Sequence, residues 1–309
     1  MDKKVSKMLD NPLVSIIINC FNGEKYLSKA LDSIILQTYK NWEVIFWDNR
    51  SSDKSSEIFK KYQNSDKRMK YHLAPKHSNI LYEARNYALE QANANFIAFL
   101  DVDDWWLPEK LEKQIPMFQD SEVGLVYGNC YIFFEKKNKK KIYRSNKLPI
   151  GKISNELLKD YSIASPTYVV RKKALQSLNY NFNNNYHIIG DFDLNIRIAS
   201  KWKIECVQSP VAYVRLHGQN ESLLKRQREI NELKIWYNEM KNNPVFSNKS
   251  NLNFFFLTIV YLEIMKSVLD NEFRKSLLMI MKYPLSLNKI KLIIALLLPN
   301  FILKKIKNY

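Results

Sequence analysis

The segment Asn95-Phe96-Ile97-Ala98-Phe99-Leu100-Asp101-Val102-Asp103-Asp104 sets the reading of the whole chain. An apolar run this short and continuous fits a strand buried on both faces, and it stops abruptly on carboxylates. Open parallel sheets bind ligands beyond the carboxyl ends of their strands. Hard oxygen donors two residues apart at such an end can hold Mg²⁺ or Mn²⁺, and through the metal a diphosphate. A polar turn capping a helix is the plain alternative. The buried strand before the carboxylates and the pair Trp105-Trp106 after them favour the ligand reading.

Strand and helix signals alternate on the N-terminal side of this segment. Strands are predicted at Val14–Asn19, Glu43–Trp47 and Met69–Leu73, and helices at Gly23–Gln37, Asp53–Tyr62 (Asp53 as N-cap) and Leu81–Ala92. On the other side a helix is predicted over Leu107–Phe118, strand over Gly124–Phe134 and Val211–Leu216, and helix over Asp191–Ser200. Lys136–Lys147, with seven basic residues and no acid, reads as a solvated hairpin or loop. The pattern is α/β and doubly wound, with Asn22, Asp48, Asp101 and Asp103 each following a strand. After about Glu221 only helical periodicity remains. The expected division is therefore residues 1–220 as the α/β domain and 221–309 as a helical region.

The 309 residues carry 48 Lys+Arg against 31 Asp+Glu, a net +17, which admits nucleic acid, an anionic membrane or a phosphorylated substrate as partner. Hydrophobic residues at 46% exclude wholesale disorder. Three well-separated cysteines (Cys20, Cys130, Cys206) form neither a disulfide framework nor a CxxC site. Met1–Asn11 is polar, so no signal peptide is expected, and no apolar stretch of about 20 residues suggests a spanning helix.

Other residues could carry chemistry. Asp48 could accept a hydrogen bond from a pyrimidine or a ribose, or form an Asx-turn. Arg85 could contact the nucleotide or the carboxylates, or lie on a solvated helix face. Asp191 could act as a general base or as an N-cap, while Asp193 is expected to pair with Arg197 at i,i+4. His217, at the end of Tyr213-Val214-Arg215-Leu216-His217, could complete the metal site or touch a diphosphate.

These residues resemble the family 2 glycosyltransferases of GT-A fold. Pro12–Ile18 with Asn22 is similar to that family's PxVSIIIPxYN opening, and Tyr26-Leu27, Leu31, Ser33 and Gln37-Thr38 to its YLxxxLxSIxxQT continuation. Glu43–Asp53 resembles EIIVVDDGSTD, Ala84-Arg85-Asn86 resembles ARN, and Phe99–Asp104 resembles FLDADD. The likeness covers roughly residues 12–222. It implies a Rossmann-like nucleotide-sugar-binding domain with a C-terminal helical extension and an inverting, metal-dependent transfer to a hydroxyl. The donor would be a nucleotide diphosphate sugar, UDP-linked. It implies donor contacts from Asn22, Asp48, Arg85, Asp101 and Arg215, a divalent Mn²⁺ or Mg²⁺ on Asp103 with His217, and Asp191 as base. Trp105 and Trp106 are candidates for stacking on sugar rings, or core. Three departures stand out: Gly190 occupies the place of the first acid of the family's ED motif, Asn79–Glu83 lacks the usual glycine, and Cys20-Phe21 stands where Pro or Thr and Tyr are common.

Two other readings remain open on sequence: a catalytically inactive scaffold of the same fold, and a basic nucleic-acid-binding protein, although no nucleic-acid module is recognisable. The residues from Phe273 to Tyr309 hold eight Lys/Arg and no acid. Within them Lys289–Lys307 brackets an apolar run broken by Pro299-Asn300, as in an interfacial helix on an anionic leaflet. The expected setting is cytoplasmic and peripheral to the inner face of the cytoplasmic membrane, with a glycan or lipid-linked acceptor.

Overall fold

The computed structural model describes residues 11–246 and 249–306, so most of Met1–Asn11, and Lys307 in the tail, lie outside the described residues. The chain divides into two compact units. The first comprises the residues up to Leu157 together with Tyr161–His217, and the second Leu158–Asp160 with the chain from Gly218 onward.

The first unit is built on strands β1 (Val14–Cys20), β2 (Trp42–Asp48), β3 (Met69–Leu73), β4 (Phe96–Phe99), β5 (Trp105–Trp106), β6 (Val123–Phe134), β7 (Lys139–Ile142), β8 (Val169–Arg171) and β9 (Lys203–Leu216). Helices α1 (Glu24–Ile35), α2 (Ser55–Ser65), α3 (Leu81–Glu90), α4 (Lys110–Gln114), α5 (Ser154–Lys159), α6 (Lys172–Gln176) and α7 (Gly190–Lys201) connect them. The strands form one sheet in the order β3-β2-β1-β4-β8-β6-β9-β5, with β7 paired to β6. β3, β2, β1 and β4 are mutually parallel, as the βα alternation predicts. Beyond β4 the sheet departs from a doubly wound pattern: β8 is antiparallel to β4 and β6, and β5 is antiparallel to β9. Val14, Ile16 and Ile18 share a core with Leu27, Leu31 and Phe59 of α1 and α2, the side-chain alternation that a parallel strand imposes.

Several boundaries differ from the sequence reading. The helix expected over Leu107–Phe118 is only α4, followed by a 3₁₀ turn over Ile115–Gln119, because Pro116 has no N–H to continue an α-helix. β8, α5 and α6 are too short to leave a period. The basic stretch is a hairpin, in which β7 pairs with Tyr131–Phe134 through a left-handed turn at Asn138. Asp53 links two helices rather than capping one: its oxygens accept the N–H of Glu24 in α1 and of Ser55 in α2, both at 2.9 Å.

The second unit holds α8 (Glu221–Leu224), α9 (Arg226–Met240), α10 (Lys249–Leu269), α11 (Phe273–Lys282), α12 (Leu287–Leu297) and α13 (Asn300–Ile306). Ile264, Met265 and Val268 of α10 bury against Ile280, Tyr283 and Leu292. Within α10, Asn251–Leu269 has a mean hydropathy of 1.6 over 19 residues. The expectation of no sufficiently long apolar stretch is thereby corrected: this helix is long and apolar enough to cross a membrane. Its apolarity is spread around the helix, so no single-face pattern marks it in the sequence.

At the starts of β1 and β2, buried Glu43 accepts hydrogen bonds from Ser15 Oγ at 2.6 Å and Lys70 Nζ at 2.5 Å. Burial alone would raise its pKa, but Lys70, Ser15 and the Asn93 N–H together hold it below the ordinary value. A depressed folded-state pKa stabilises the protein above the unfolded value, about 4.3 for Glu, and that contribution is lost as pH falls through the folded value. Glu43→Gln should therefore lower Tm at neutral pH and flatten the acid limb of a Tm-against-pH profile. An unchanged acid limb would refute the assignment.

Candidate active site

Parallel β1, β2 and β4 end at one edge of the sheet, and the loops after β1 and β2 are joined by hydrogen bonds. Asn22, in a left-handed conformation that Asn tolerates, accepts the Ser52 N–H at 2.8 Å. Asn49 binds the backbone of Ser78 twice, at 2.7 and 2.9 Å, which fixes the loop leading into α3. Asp48 is buried at the end of β2, accepting from the Ser51 N–H at 2.7 Å and the Tyr71 hydroxyl at 2.6 Å.

Two turns of chain bring the other candidates together. After β4, Asp101–Asp104 forms a tight turn closed by the Asp104 N–H to Asp101 O bond, and β5 then pairs antiparallel with β9. That pairing runs Asp103 and Asp104 alongside the end of β9. Arg215 donates its backbone N–H to Asp104 Oδ1 and its Nε to Asp103 O, each at 2.8 Å. His217 Nε2 lies 3.0 Å from Asp103 Oδ2. Burial, and then the charges of Asp103 and Asp101, push the Asp104 carboxyl well above the usual carboxylate range.

The second turn is the first turn of α3, which presents Tyr82 and Arg85 on one face, as i,i+3 spacing requires. Arg85 is 2% exposed. Its Nη1 donates to both oxygens of Asp191 at 2.7 Å, and its Nη2 donates to Asp101 Oδ1 and, at 3.3 Å, to Ser165 Oγ. Burial opposes the guanidinium charge, but Asp101 and Asp191 outweigh it and raise its pKa well above the ordinary value. Asp191 also accepts from Tyr168 OH at 2.8 Å and Tyr82 OH at 3.2 Å. A carboxylate at the sheet edge and a carboxylate at the start of α7 are thus held at a fixed separation by one buried cation. Of the two readings of Arg85, the solvated face is excluded.

Gly190 has a direct structural reason. A Cβ at that position would lie 2.4 Å from Tyr82 Cδ2, so the tyrosine ring fills the space a side chain would take. Asp193 pairs with Arg197 at 2.7 Å, the i,i+4 contact expected of it. Of the two readings of the tryptophans, the core one fits Trp106. Trp106 lies in the core, 2% exposed, with its indole N–H on Pro166 O at 2.8 Å, and offers no face to a sugar. Trp105 stacks on Tyr213 at 4.6 Å and carries Lys29 Nζ 3.6 Å from its ring centre, so its ring is engaged within the protein. Tyr82, Tyr168 and Ser165 were not singled out from the sequence. Tyr82 is deducible from its spacing to Arg85, whereas the other two reach the site through a loop without periodicity.

Among the described residues no three His, Cys, Asp or Glu side chains form a closed metal cluster. The Asp103–His217 pair nevertheless suits a divalent ion that takes one or two protein ligands and fills its other positions with phosphate oxygens and water.

A curled α/β sheet with carboxylates at its strand ends and helices behind it is the GT-A arrangement, and solved glycosyltransferases share it. A mannosyltransferase from Pyrobaculum calidifontis, in complex with GDP-Man and Mn²⁺, matches 96% of this chain and 84% of its own with a TM-score of 0.65 at 16% identity. S. aureus TarS 1-349 in complex with UDP-GlcNAc matches 81% of this chain and 72% of its own, also at 0.65, with 18% identity. Residues 15–178 match the family model Glycosyl transferase family 2, and the chain belongs to that family. An uncharacterised glycosyltransferase of Methanocaldococcus jannaschii is 29% identical over 83% of this chain and 90% of its own length. WfgD of Escherichia coli, a UDP-Glc:α-D-GlcNAc-diphosphoundecaprenol β-1,3-glucosyltransferase, is 37% identical over 56% of this chain and 66% of its own. The chain therefore spans just under two thirds of that enzyme.

The Gly190–Tyr82 contact makes a prediction. Gly190→Ala should force Tyr82 aside, costing about 1–3 kcal/mol as overpacking does, and should disturb Asp191 with it. In a double-mutant cycle with Tyr82→Ala the two losses of stability should be clearly less than additive, because the clash disappears once the ring is gone. Equal Tm for Gly190→Ala and wild type would sink this account.

Proposed function

We propose that the protein is an inverting, metal-dependent glycosyltransferase that moves a sugar from a UDP-linked donor to a hydroxyl of a glycan or lipid-linked glycan in bacterial surface-glycan synthesis. One observation carries the reading: Arg85 joins Asp101, at the strand end beside Asp103 and His217, to Asp191 at the start of α7. Donor-side and acceptor-side carboxylates are thereby set in one rigid frame, as a displacement between two bound substrates requires.

Asn22 and Asp48 belong to the loops that would flank the nucleoside, and Asp101, Arg85 and Arg215 to the ribose and diphosphate side. Asp103 and His217 would hold the divalent cation, which supplies charge neutralisation for the departing diphosphate. Asp191, oriented by Arg85, Tyr82 and Tyr168, takes the proton of the acceptor hydroxyl as its oxygen attacks the anomeric carbon from the face opposite the diphosphate. The relatives support a sugar nucleotide donor and, through the E. coli enzyme's printed substrate, a lipid diphosphate acceptor.

The scaffold reading draws on the same carboxylate, whose oxygens accept bonds from Arg85, Tyr82 and Tyr168. The two separate experimentally. Asp191→Asn should keep the donor-induced rise in Tm and lose sugar transfer by about 10²–10⁴-fold, the usual worth of a positioned general base. Asp103→Ala should abolish the Mn²⁺-dependent part of that rise. Unchanged transfer in Asp191→Asn would overturn the assignment of the base.

The membrane setting is part of the proposal. On α11 and α12 the large apolar residues Leu278, Met281, Leu287, Ile290 and Leu297, with Leu285 between the helices, remain exposed, Leu285 at 93%. Arg274, Lys275, Lys282 and Lys291 are exposed on the same two helices. Apolar insertion flanked by cations is the pattern of an interfacial helix pair on anionic lipid. Co-sedimentation with phosphatidylglycerol vesicles, absent with pure phosphatidylcholine, should be lost in Leu278→Asp/Leu285→Asp. Persistence of binding in that variant would refute this surface.

A further inference from the structure

A second site lies on the outer face of α3. The face opposite Arg85 and the loop Tyr180-Asn181-Phe182-Asn183-Asn184-Asn185 enclose a groove of about 580 Å³, within the range of small-molecule sites. The loop is built rather than loose. Asn86 accepts the Phe182 N–H at 3.1 Å and donates to Phe182 O at 2.9 Å and Asn184 Oδ1 at 2.8 Å. Asn183 Oδ1 accepts the Asn185 N–H at 2.9 Å, and Arg197 donates to Tyr180 O at 2.8 Å. Asn86, Asn183 and Asn184 are thus spent on shaping the loop. The side chains of Asn181 and Asn185 make no hydrogen bond among the described residues, and Glu90 makes neither hydrogen bond nor ion pair there, although all three line the groove.

The lining defines a ligand class. In a chain of net +17, neither Lys nor Arg lines this groove, while Glu83 and Glu90 do. That charge disfavours phosphates, nucleotides and acidic glycans. Primary amides offer a donor and an acceptor side by side, which matches neighbouring hydroxyls. We infer that the groove between α3 and residues 180–185 binds a neutral oligosaccharide. Its position connects it to the reaction. Phe182 is among the groove's lining residues, its buried ring stacks on Tyr82 at 5.3 Å, and the Tyr82 hydroxyl touches Asp191. On the glycosyltransferase reading, on which this last step rests, the saccharide is the part of the acceptor glycan remote from the reacting hydroxyl.

Binding can be tested without turnover. Chitotriose, laminaritriose and mannotriose are titrated into the full chain by saturation-transfer NMR, with trigalacturonate as the anionic counterpart. At least one neutral trimer should bind saturably at millimolar concentration and trigalacturonate should not. Asn181→Ala/Asn185→Ala, with Tm unchanged, should weaken the neutral trimer by about tenfold, equivalent to roughly 1.4 kcal/mol. Failure of every neutral trimer to bind, equal binding by the variant, or equal binding of trigalacturonate would overturn the inference. The nucleotide-sugar effect on Tm is measured on the same samples, so loss of the glycosyltransferase reading is seen separately from loss of the groove.

Discussion

A guanidinium with no route to solvent must find its counter-charges inside the protein, and Arg85 finds two. Breaking a buried ion pair by removing one partner typically costs about 3–5 kcal/mol, because the remaining charge is stranded. Asp101 and Asp191, far apart in sequence, are therefore bound by the same requirement. The turn after β4, the first turn of α3 and the start of α7 cannot shift independently while Arg85 stays charged and buried. The surrounding details follow from this constraint: Tyr82 and Tyr168 complete the shell around Asp191, and Ser165 adds to that around Arg85.

The mixed sheet serves the same arrangement. A purely parallel sheet would align strand ends on one edge but supply no return strand beside the acidic turn. β5 against the end of β9 supplies it, and so brings Arg215 and His217, more than a hundred residues later in the chain, to Asp103. Backbone pairing does the placing, which explains how half-buried carboxylates keep fixed positions before any ligand arrives.

The sequence discloses the elements whose physics is local. β1 and β2 are visible because buried parallel strands are continuous and rich in β-branched and aromatic residues, and α1 because its apolar face repeats with the helical period. The strand-end acids at 48, 101 and 103 are visible for the same reason. What stays hidden depends on distant partners. Trp106 looks like a platform beside a site until Pro166 and the core close around it. β8 has three residues and exists only because β4 and β6 pair with it. α10 hides a potential spanning stretch because its apolar residues follow no single face.

The packing of Tyr82 against Gly190 also couples the substitutions that these two positions accept. Because the ring occupies the volume where a side chain at 190 would begin, the two positions cannot be changed in either order with equal ease. An acid at 190 would collide with the Tyr82 ring, while a small residue at 82 would remove a hydroxyl that touches Asp191. Tyr82 and Gly190 thus behave as one packing unit, in which the absence of a side chain at one position is what lets the other hold its ring and its hydroxyl in place.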